Sequence, residues 1–434
     1  MADYFSTWFP EGWDWLGWLL AAIIQAVLLL HVIAVGAVVF IWMERKIAGR
    51  IQDRLGPTRT GGKFGWLQTL ADGIKLLSKE DLMPRDADPL LFKLAPYISL
   101  AASFTAFLAL PFASGWVGVR LNIALFFVIA VLGLEVFGVI LAGYGSGSKW
   151  SLFGGMRQAA QVVSYEVPLG ICVVVPVLIS GTMDLVTIAD QQSGLFSNWL
   201  FFHDPFCMLL FWVYFTCGIA SVNRAPFDLA EAESELVSGF LTEYSGIRWS
   251  LFFMAEYGSM FLVSGLAAIL FFGGWNGPIP IFFWVPEGNF TLETLANLVG
   301  LGNFLLKAVI GVVVMMWVRW TLPRLRIDQV ISMCLKYCVP IAAFCFLGSV
   351  LWTALHIPFL NDVMPMQSRG DVREGWVQDI DNEMKQLEKR LATEAYELNS
   401  AVEGGPQQEA QTSLEDDSTD RVALIPMQQP EGAQ

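Results

Sequence analysis

Eight apolar runs set the terms on which this chain folds. They lie near residues 15–42, 94–113, 121–143, 159–180, 205–222, 251–273, 299–322 and 336–356. Each has roughly the 18 or more residues needed to cross the hydrocarbon of a bilayer at about 1.5 Å per residue. Lipid offers the backbone no hydrogen bonds, so such runs must be helices, and they are too long for barrel strands. The expected fold is all-α, a polytopic membrane protein of about eight transmembrane helices. Composition agrees, since 55% of the 434 residues are hydrophobic and only 15% are charged, against about a quarter in a soluble domain. The first run is expected to remain in the membrane, because Asp3, Glu11 and Asp14 stand where a signal peptide carries basic residues.

Charge divides the chain in two. Residues 361–434 hold 16 acidic and 6 basic side chains, a balance of −10, whereas residues 1–360 hold 24 and 20, a balance of −4. This predicts a membrane core over 1–360 and an acidic C-terminal extension over 361–434. Ten of the core's basic residues fall between the first two runs, from Arg45 to Lys93. Smaller groups follow runs three, five and seven, while the alternate loops are almost bare. The positive-inside rule then places the basic loops in the cytoplasm and both termini outside it.

Two segments outside the spans are amphipathic. In WLQTLADGIKLLSKE (66–80), Trp66, Leu67, Leu70, Ile74 and Leu77 recur at helical spacing, which predicts a helix lying in the membrane interface. Beyond the last run, Val377, Ile380, Met384, Leu387 and Leu391 form a heptad stripe, which predicts an external amphipathic helix. After Gly404 the acidic chain lacks periodicity and reads as disordered.

Ionisable groups inside apolar runs are the strongest functional signal, since a charge at the bilayer centre costs about 2.5–3.5 kcal/mol or more. Glu135 and Glu166 are two such acids, with Lys307 in the seventh run as a candidate partner. A second cluster is NRAPFDLAEAESELVSGFLTEY (223–244). If it is helical from Asp228, then Asp228, Glu231 and Glu235 share one face. In a semi-enclosed site they titrate as a coupled set, which Glu243 and Glu256 extend; on a wet surface they are a solvated face. His31, His203 and His356 read as structural. The six cysteines (Cys172, Cys207, Cys217, Cys334, Cys338, Cys345) form no CxxC pair and no metal-ligand spacing, so neither metal nor disulfide is expected. GYGSGSKWSLFGG (143–155) lacks a Walker pattern, and no nucleotide site is expected.

Over residues 15–356 the chain resembles subunit 1/H of respiratory complex I. The matching stretches are ERKIAGRIQDRLGP (44–57), GWLQTLADGIKLLSKE (65–80), GMRQAAQVVSYEV (155–167), the acidic segment 223–244, FFMAEY (252–257) and LPRLRIDQ (322–329). The resemblance implies an eight-helix membrane subunit of a proton-translocating NADH-quinone oxidoreductase, with quinone as substrate. It implies no cofactor on this chain, with FMN and iron-sulfur clusters in partner subunits. Its expected partners are the peripheral quinone-module subunits, the small and antiporter-like membrane subunits, and lipid, with no nucleic acid. The bacterial inner membrane is the expected location, the mitochondrial inner membrane the second choice.

Carried over by position, the resemblance assigns Arg45, Arg54, Asp72, Lys75 and Glu80 to the quinone cavity and its entry. It assigns Glu166, Asp228, Glu231, Glu233, Glu235, Glu243 and Glu256 to an acidic relay, and Glu135 to an acid found in some members. Arg319, Arg324, Arg326 and Asp328 match a last cytoplasmic loop. Ser221 departs from the pattern, where many members have Glu. Two other readings fit the same motifs: the homologous subunit of a membrane-bound hydrogenase or other donor-linked complex, and a stand-alone secondary ion transporter.

Overall fold

The structure is a computed structural model that describes residues 14–114, 116–230, 236–278 and 290–355. They belong to one compact unit, Met1–Gln367; a second unit, Ser368–Gln434, lies outside the described residues, as do His356 and the heptad stripe.

The described residues are helical, with no strand beyond one isolated bridge between Ala113 and Trp116. The helices are α1 (Asp14–Ile51), α2 (Gln68–Ser78), α3 (Pro89–Ala106), α4 (Ala124–Gly145), α5 (Lys149–Ser180), α6 (Leu185–Gln191), α7 (Pro205–Ser221), α8 (Gly246–Phe271), α9 (Phe290–Thr321), α10 (Ile327–Met333) and α11 (Val339–Leu355). A five-residue π-helix, Cys334–Cys338, joins α10 to α11 in one span of 29 residues. Among the described residues seven spans are long and apolar enough to cross a membrane, and α7, with 17 residues, is a shorter apolar helix. The eight expected runs therefore correspond to eight helical segments.

Their boundaries differ from the hydropathy limits for physical reasons. Helix α1 has 38 residues, about 57 Å at the usual rise, so it runs past the apolar stretch and carries Glu44 and Arg45 on regular helix. Run 94–113 ends early, with α3 stopping at Ala106 and the chain turning before Pro111. After α7 the chain turns through residues 222–230, and most of the stretch expected to be helical from Asp228 lies outside the described residues. Asn223 has φ 55°, Phe227 N–H bonds Arg224 O at 2.9 Å, and residues 222–230 form turns in which Pro226 has no N–H to give a helix.

Helix α8 is the most enclosed span and touches α1, α2, α3, α6, α7 and α9. Between helices in lipid, small residues are what permit close approach. A Cβ on Gly265 of α8 would meet Phe304 at 3.0 Å, and one on Gly311 of α9 would meet Ser264 Oγ at 2.0 Å. Helices α3 and α4 pack in the same way through Gly138, Ala142 and Gly145. A Cβ on Gly138 would stand 2.9 Å from Ser99 N and 3.0 Å from Ala95 O. Gly154 of α5 lies equally close to the chain on both sides of the acidic segment, at Ala230 O and Phe240 N, each 2.9 Å from its Cβ position.

Gly138→Ala is expected to force α3 and α4 apart and to cost about 1–3 kcal/mol, as overpacking does. Gly302→Ala, where no heavy atom lies within 4 Å of the added carbon, is the control. Thermal denaturation of the purified detergent-solubilised protein checks it: the midpoint falls by several degrees for the first substitution and stays level or rises for the second.

Candidate functional site

Buried positions along α1 recur as Ile33, Ala37, Phe40, Glu44 and Ala48, at steps of three and four that trace one helix face. Glu44 is thus carried into the bundle, at 6% exposure. A buried carboxylate must be paired, and this one is held from three directions. Arg319 on α9 donates to Oε1, and the Tyr257 hydroxyl on α8 donates to Oε2. Arg224 Nη1, in the turn after α7, lies 3.8 Å from Oε2, an ion pair too long to be a hydrogen bond.

Arg224 links this acid to a second one. Its Nη2 is 3.5 Å from Glu256 Oε2, and its guanidinium stacks 4.4 Å over the Tyr257 ring. Two carboxylates and two guanidiniums thus balance formally among α1, α8, α9 and one loop. One turn beyond Glu256 on α8, about 5–6 Å between Cβ atoms, Ser259 donates to Glu135 Oε2 on α4 and lies 3.4 Å from Ser103 Oγ on α3. The groups form a polar line through the bundle from Arg319 and Glu44 to Glu135.

Beside Glu135 is a small cavity lined by Leu132, Val136, Gln158, Val162, Ser221, Val222, Asn223 and Ser259. It has room for about one water molecule.

On the other face of α1, Arg45 reaches Asp72 of α2, and Lys75 Nζ lies 3.4 Å from the same carboxylate. Partial burial alone would raise the Asp72 carboxyl, but the bonds and charges of Arg45 and Lys75 prevail and hold it below its ordinary value. Helix α2 is fastened to α1 by Trp66 stacked on Trp42 at 4.9 Å, and by Trp42 Nε1 donating to Phe64 O at 2.8 Å. Its stripe of Trp66, Leu67, Leu70, Ile74 and Leu77 is exposed, as an interfacial helix requires.

Other expected residues have contacts elsewhere. Arg54 is exposed and bonds Gln52 at 2.7 Å, and Glu80 is exposed, its carbonyl accepting from the Ser245 hydroxyl. Glu166 leans on α4, its Oε1 2.8 Å from where a Cβ on Gly133 would stand. Asp228 and Glu243 are half-buried, Arg324 is half-buried, and Arg326 and Asp328 are exposed at the start of α10. Glu231, Glu233 and Glu235 lie outside the described residues. Lys307, expected beside a carboxylate, instead donates to the carbonyls of Phe272, Gly274 and Asn276 and covers the Trp199 ring at 4.5 Å. It satisfies carbonyls released where α8 ends, which have no helical partner.

Sequence reasoning misses Glu44, Arg224, Tyr257 and Ser259. Glu44 has a readable signal, since it continues the Ile33–Ala37–Phe40 face. Arg224 has none, because its burial follows from a turn.

By atom type, His203, Asp204 and Cys207 are a group able to hold a metal, all buried with ligand atoms within 4.8 Å of one another, a convergence that spacing alone does not reveal. Their contacts are those of a helix N-cap. Asp204 Oδ1 accepts from Cys207 N–H at 2.6 Å, and Oδ2 takes the Ser349 hydroxyl at 2.7 Å beside His203 Nδ1 at 2.9 Å.

The family described as NADH dehydrogenase matches residues 24–350. The H-type subunit of NADH-quinone oxidoreductase from Anaeromyxobacter dehalogenans is 44% identical, covering 80% of this chain and 86% of the relative. Its counterpart of the same name from Chlorobium luteolum is 43% identical, covering 80% and 93%, and the second H-type subunit of Rhizobium meliloti is 45% identical, covering 69% and 88%. With its apolar helices and matched core, the chain belongs to the family of the H-type subunit of NADH-quinone oxidoreductase, a membrane subunit of respiratory complex I.

Proposed function

We propose that this chain forms part of the quinone-binding cavity of its complex and couples quinone reduction to proton translocation through its buried acids. The observation that supports this reading is the line Arg319–Glu44–Tyr257–Arg224–Glu256–Ser259–Glu135. It passes through Glu44, on the same stretch of α1 as the Arg45–Asp72 pair, and ends on α4. The cavity side is formed by Arg45, Arg54, Asp72, Lys75 and Glu80 around the interfacial helix. Glu166, Asp228, Glu231, Glu233, Glu235 and Glu243 join Glu135 and Glu256 as proton carriers. The end of α9 with Arg319, and the turn and helix start after it with Arg324, Arg326 and Asp328, close the cytoplasmic side.

Quinone reduction changes charge in the cavity. At an effective dielectric of about 20, a unit charge 4 Å away is worth roughly 4 kcal/mol, or about three pKa units, enough to change the protonation of a neighbouring acid. Tightly paired groups such as Glu44 with Arg319 and Arg224 transmit that change, because moving one charge leaves its partner uncompensated in a dry site.

In this reading electrons arrive from iron-sulfur clusters and FMN held by partner subunits, and this chain supplies no redox centre. The complex lies in the bacterial inner membrane, with the basic loops in the cytoplasm and both termini outside. Residues 1–360 are the membrane core, and 361–434 are an extension for contacts beyond it. The names of the relatives favour this reading over a hydrogenase subunit or a lone transporter.

Two outcomes test it in membranes of the intact complex. Asp72→Asn raises the KM for quinone about five-fold, the equivalent of about 1 kcal/mol for a partly exposed pair, with little change in kcat. Because its cations lower the Asp72 pKa, the charge is present above the ordinary value of about 4 and is lost only as pH falls through the lowered one. The factor is therefore constant between about pH 6 and 8, and a variant KM equal to the wild-type KM over that range removes Asp72 from the cavity.

Glu256→Gln keeps the side-chain volume but cannot exchange a proton. It is expected to lower NADH:quinone activity and proton pumping at least about ten-fold, while electron transfer from NADH to a water-soluble acceptor stays normal. Wild-type pumping by this variant would exclude the relay.

A further inference from the structure

A helix N-cap needs one oxygen, and Asp204 gives α7 one: Oδ1 accepts from Cys207 N–H at 2.6 Å. The rest of the group exceeds that task. Oδ2 of the same carboxylate stands 2.9 Å from His203 Nδ1, 3.4 Å from Cys207 Sγ and 2.7 Å from the Ser349 hydroxyl of α11. Cys207 Sγ and Ser349 Oγ are themselves 3.8 Å apart. A nitrogen, a sulfur and two oxygens from two spans and the residue before one of them thus surround one point, and all four residues are buried, Asp204 completely.

That arrangement has the dimensions and chemistry of a metal site. Around a tetrahedral zinc, with bonds of about 2.1 Å to nitrogen and oxygen and about 2.3 Å to sulfur, ligand atoms stand about 3.4–3.6 Å apart. The donor atoms of His203, Asp204 and Cys207 all lie within 4.8 Å of one another, and the two edges at the carboxylate, 2.9 and 3.4 Å, lie near the tetrahedral value. Sulfur beside imidazole disfavours magnesium and calcium, which take oxygen ligands, and suits zinc. Charge agrees. A divalent ion held by the Asp204 carboxylate, the Cys207 thiolate and neutral His203 leaves no net charge, the condition that a dry site tolerates best. The positive end of α7 opposes a cation, but Oδ1 already faces the N–H groups there.

Packing holds the donors in place. Gly348 of α11 lies so close to Phe206 of α7 that an added Cβ would stand 2.5 Å from its ring. Phe206 also meets the rings of Phe344 and Trp352 at 5.7 and 6.2 Å. Ser349 follows this contact directly, so helix-on-helix packing brings it to Cys207, and donors carried on packed helices keep their geometry. His203 keeps 7% of its surface open, which gives an ion a way in.

We propose that His203 Nδ1, Asp204 Oδ2 and Cys207 Sγ form a zinc site, with the Ser349 hydroxyl in the fourth position, and that the ion braces α7 against α11. Binding releases the Cys207 thiol proton to solvent, and the hydrogen bonds to Oδ2 give way to bonds to the metal. Nothing is oxidised or reduced. The site is independent of the proposed relay, since none of its residues belongs to the line from Arg319 to Glu135.

The test is a titration of the full-length chain with zinc chloride, after purification in detergent without a polyhistidine tag and stripping with a chelator. One zinc per chain is expected to survive desalting, and X-ray absorption at the zinc edge shows one sulfur neighbour at about 2.3 Å beside nitrogen and oxygen. Zinc raises the thermal midpoint by at least about 3 °C, and magnesium does not. His203→Gln and Cys207→Ser each weaken zinc binding at least about ten-fold, and Cys207→Ser also loses the sulfur neighbour. An N-cap without a metal function shows neither effect, because Cys207→Ser keeps the backbone N–H that Asp204 caps.

A wild-type chain that retains no zinc overturns the proposal. Equal zinc affinity in the wild type and both variants, or a sulfur neighbour that persists in Cys207→Ser, places the ion elsewhere and overturns it as well. Should the variants fail to fold, the wild-type chain decides: a bound zinc without a single sulfur neighbour, or without effect on the thermal midpoint, overturns the site.

Discussion

The cost of burying Arg224 organises the interior. This guanidinium is 4% exposed within an apolar bundle, where an unpaired ion costs several kcal/mol even after relaxation. It is made tolerable by Glu44 from α1, Glu256 from α8 and the Tyr257 ring beneath it. Glu44 in turn requires Arg319 from α9. None of these charges is acceptable alone, so four separate segments are bound to one arrangement. Replacing one partner leaves another buried and uncompensated, which gives the network an all-or-none character.

Close packing keeps that network dry. Gly138 and Gly145 let α4 approach α3 to backbone contact, and Gly265 and Gly311 do the same between α8 and α9. Were these positions larger, the helices would separate, water or lipid would enter, and the pairing energies would fall with the rising dielectric. Helix α8 is the axis of the arrangement, because it is enclosed on most sides and presents Glu256, Tyr257 and Ser259 to three different neighbours within one turn. The interfacial helix α2 has the opposite character, with its apolar stripe exposed and its polar anchor confined to Asp72.

Much of this is legible in the chain. The apolar runs mark the helices, since in lipid the backbone has no alternative to internal hydrogen bonds, and the stripe from Trp66 to Leu77 marks the interfacial helix. Glu135 and Glu166 stand out as acids in apolar runs. Helix ends are less legible, because hydropathy follows side chains, whereas α1 and α5 continue as far as backbone bonding and tertiary contacts allow. The turn at 222–230 is not legible from side-chain spacing, because the backbone makes it: Asn223 takes a positive φ and Pro226 has no N–H to give.

The sequence by itself determined that this is an all-helical membrane protein, how many apolar segments it has, and which family it joins, because those properties reside in local composition and in motifs of consecutive residues. Only the tertiary structure decided that Lys307 caps the end of α8 rather than neutralising an acid, that Arg224 joins Glu44 to Glu256, and that Ser221 and Gln158 share a cavity with Glu135. Partners of that kind are distant in sequence, and a charge inside a membrane pairs with whichever group helix packing brings within a few ångströms. No spacing along the chain encodes that choice.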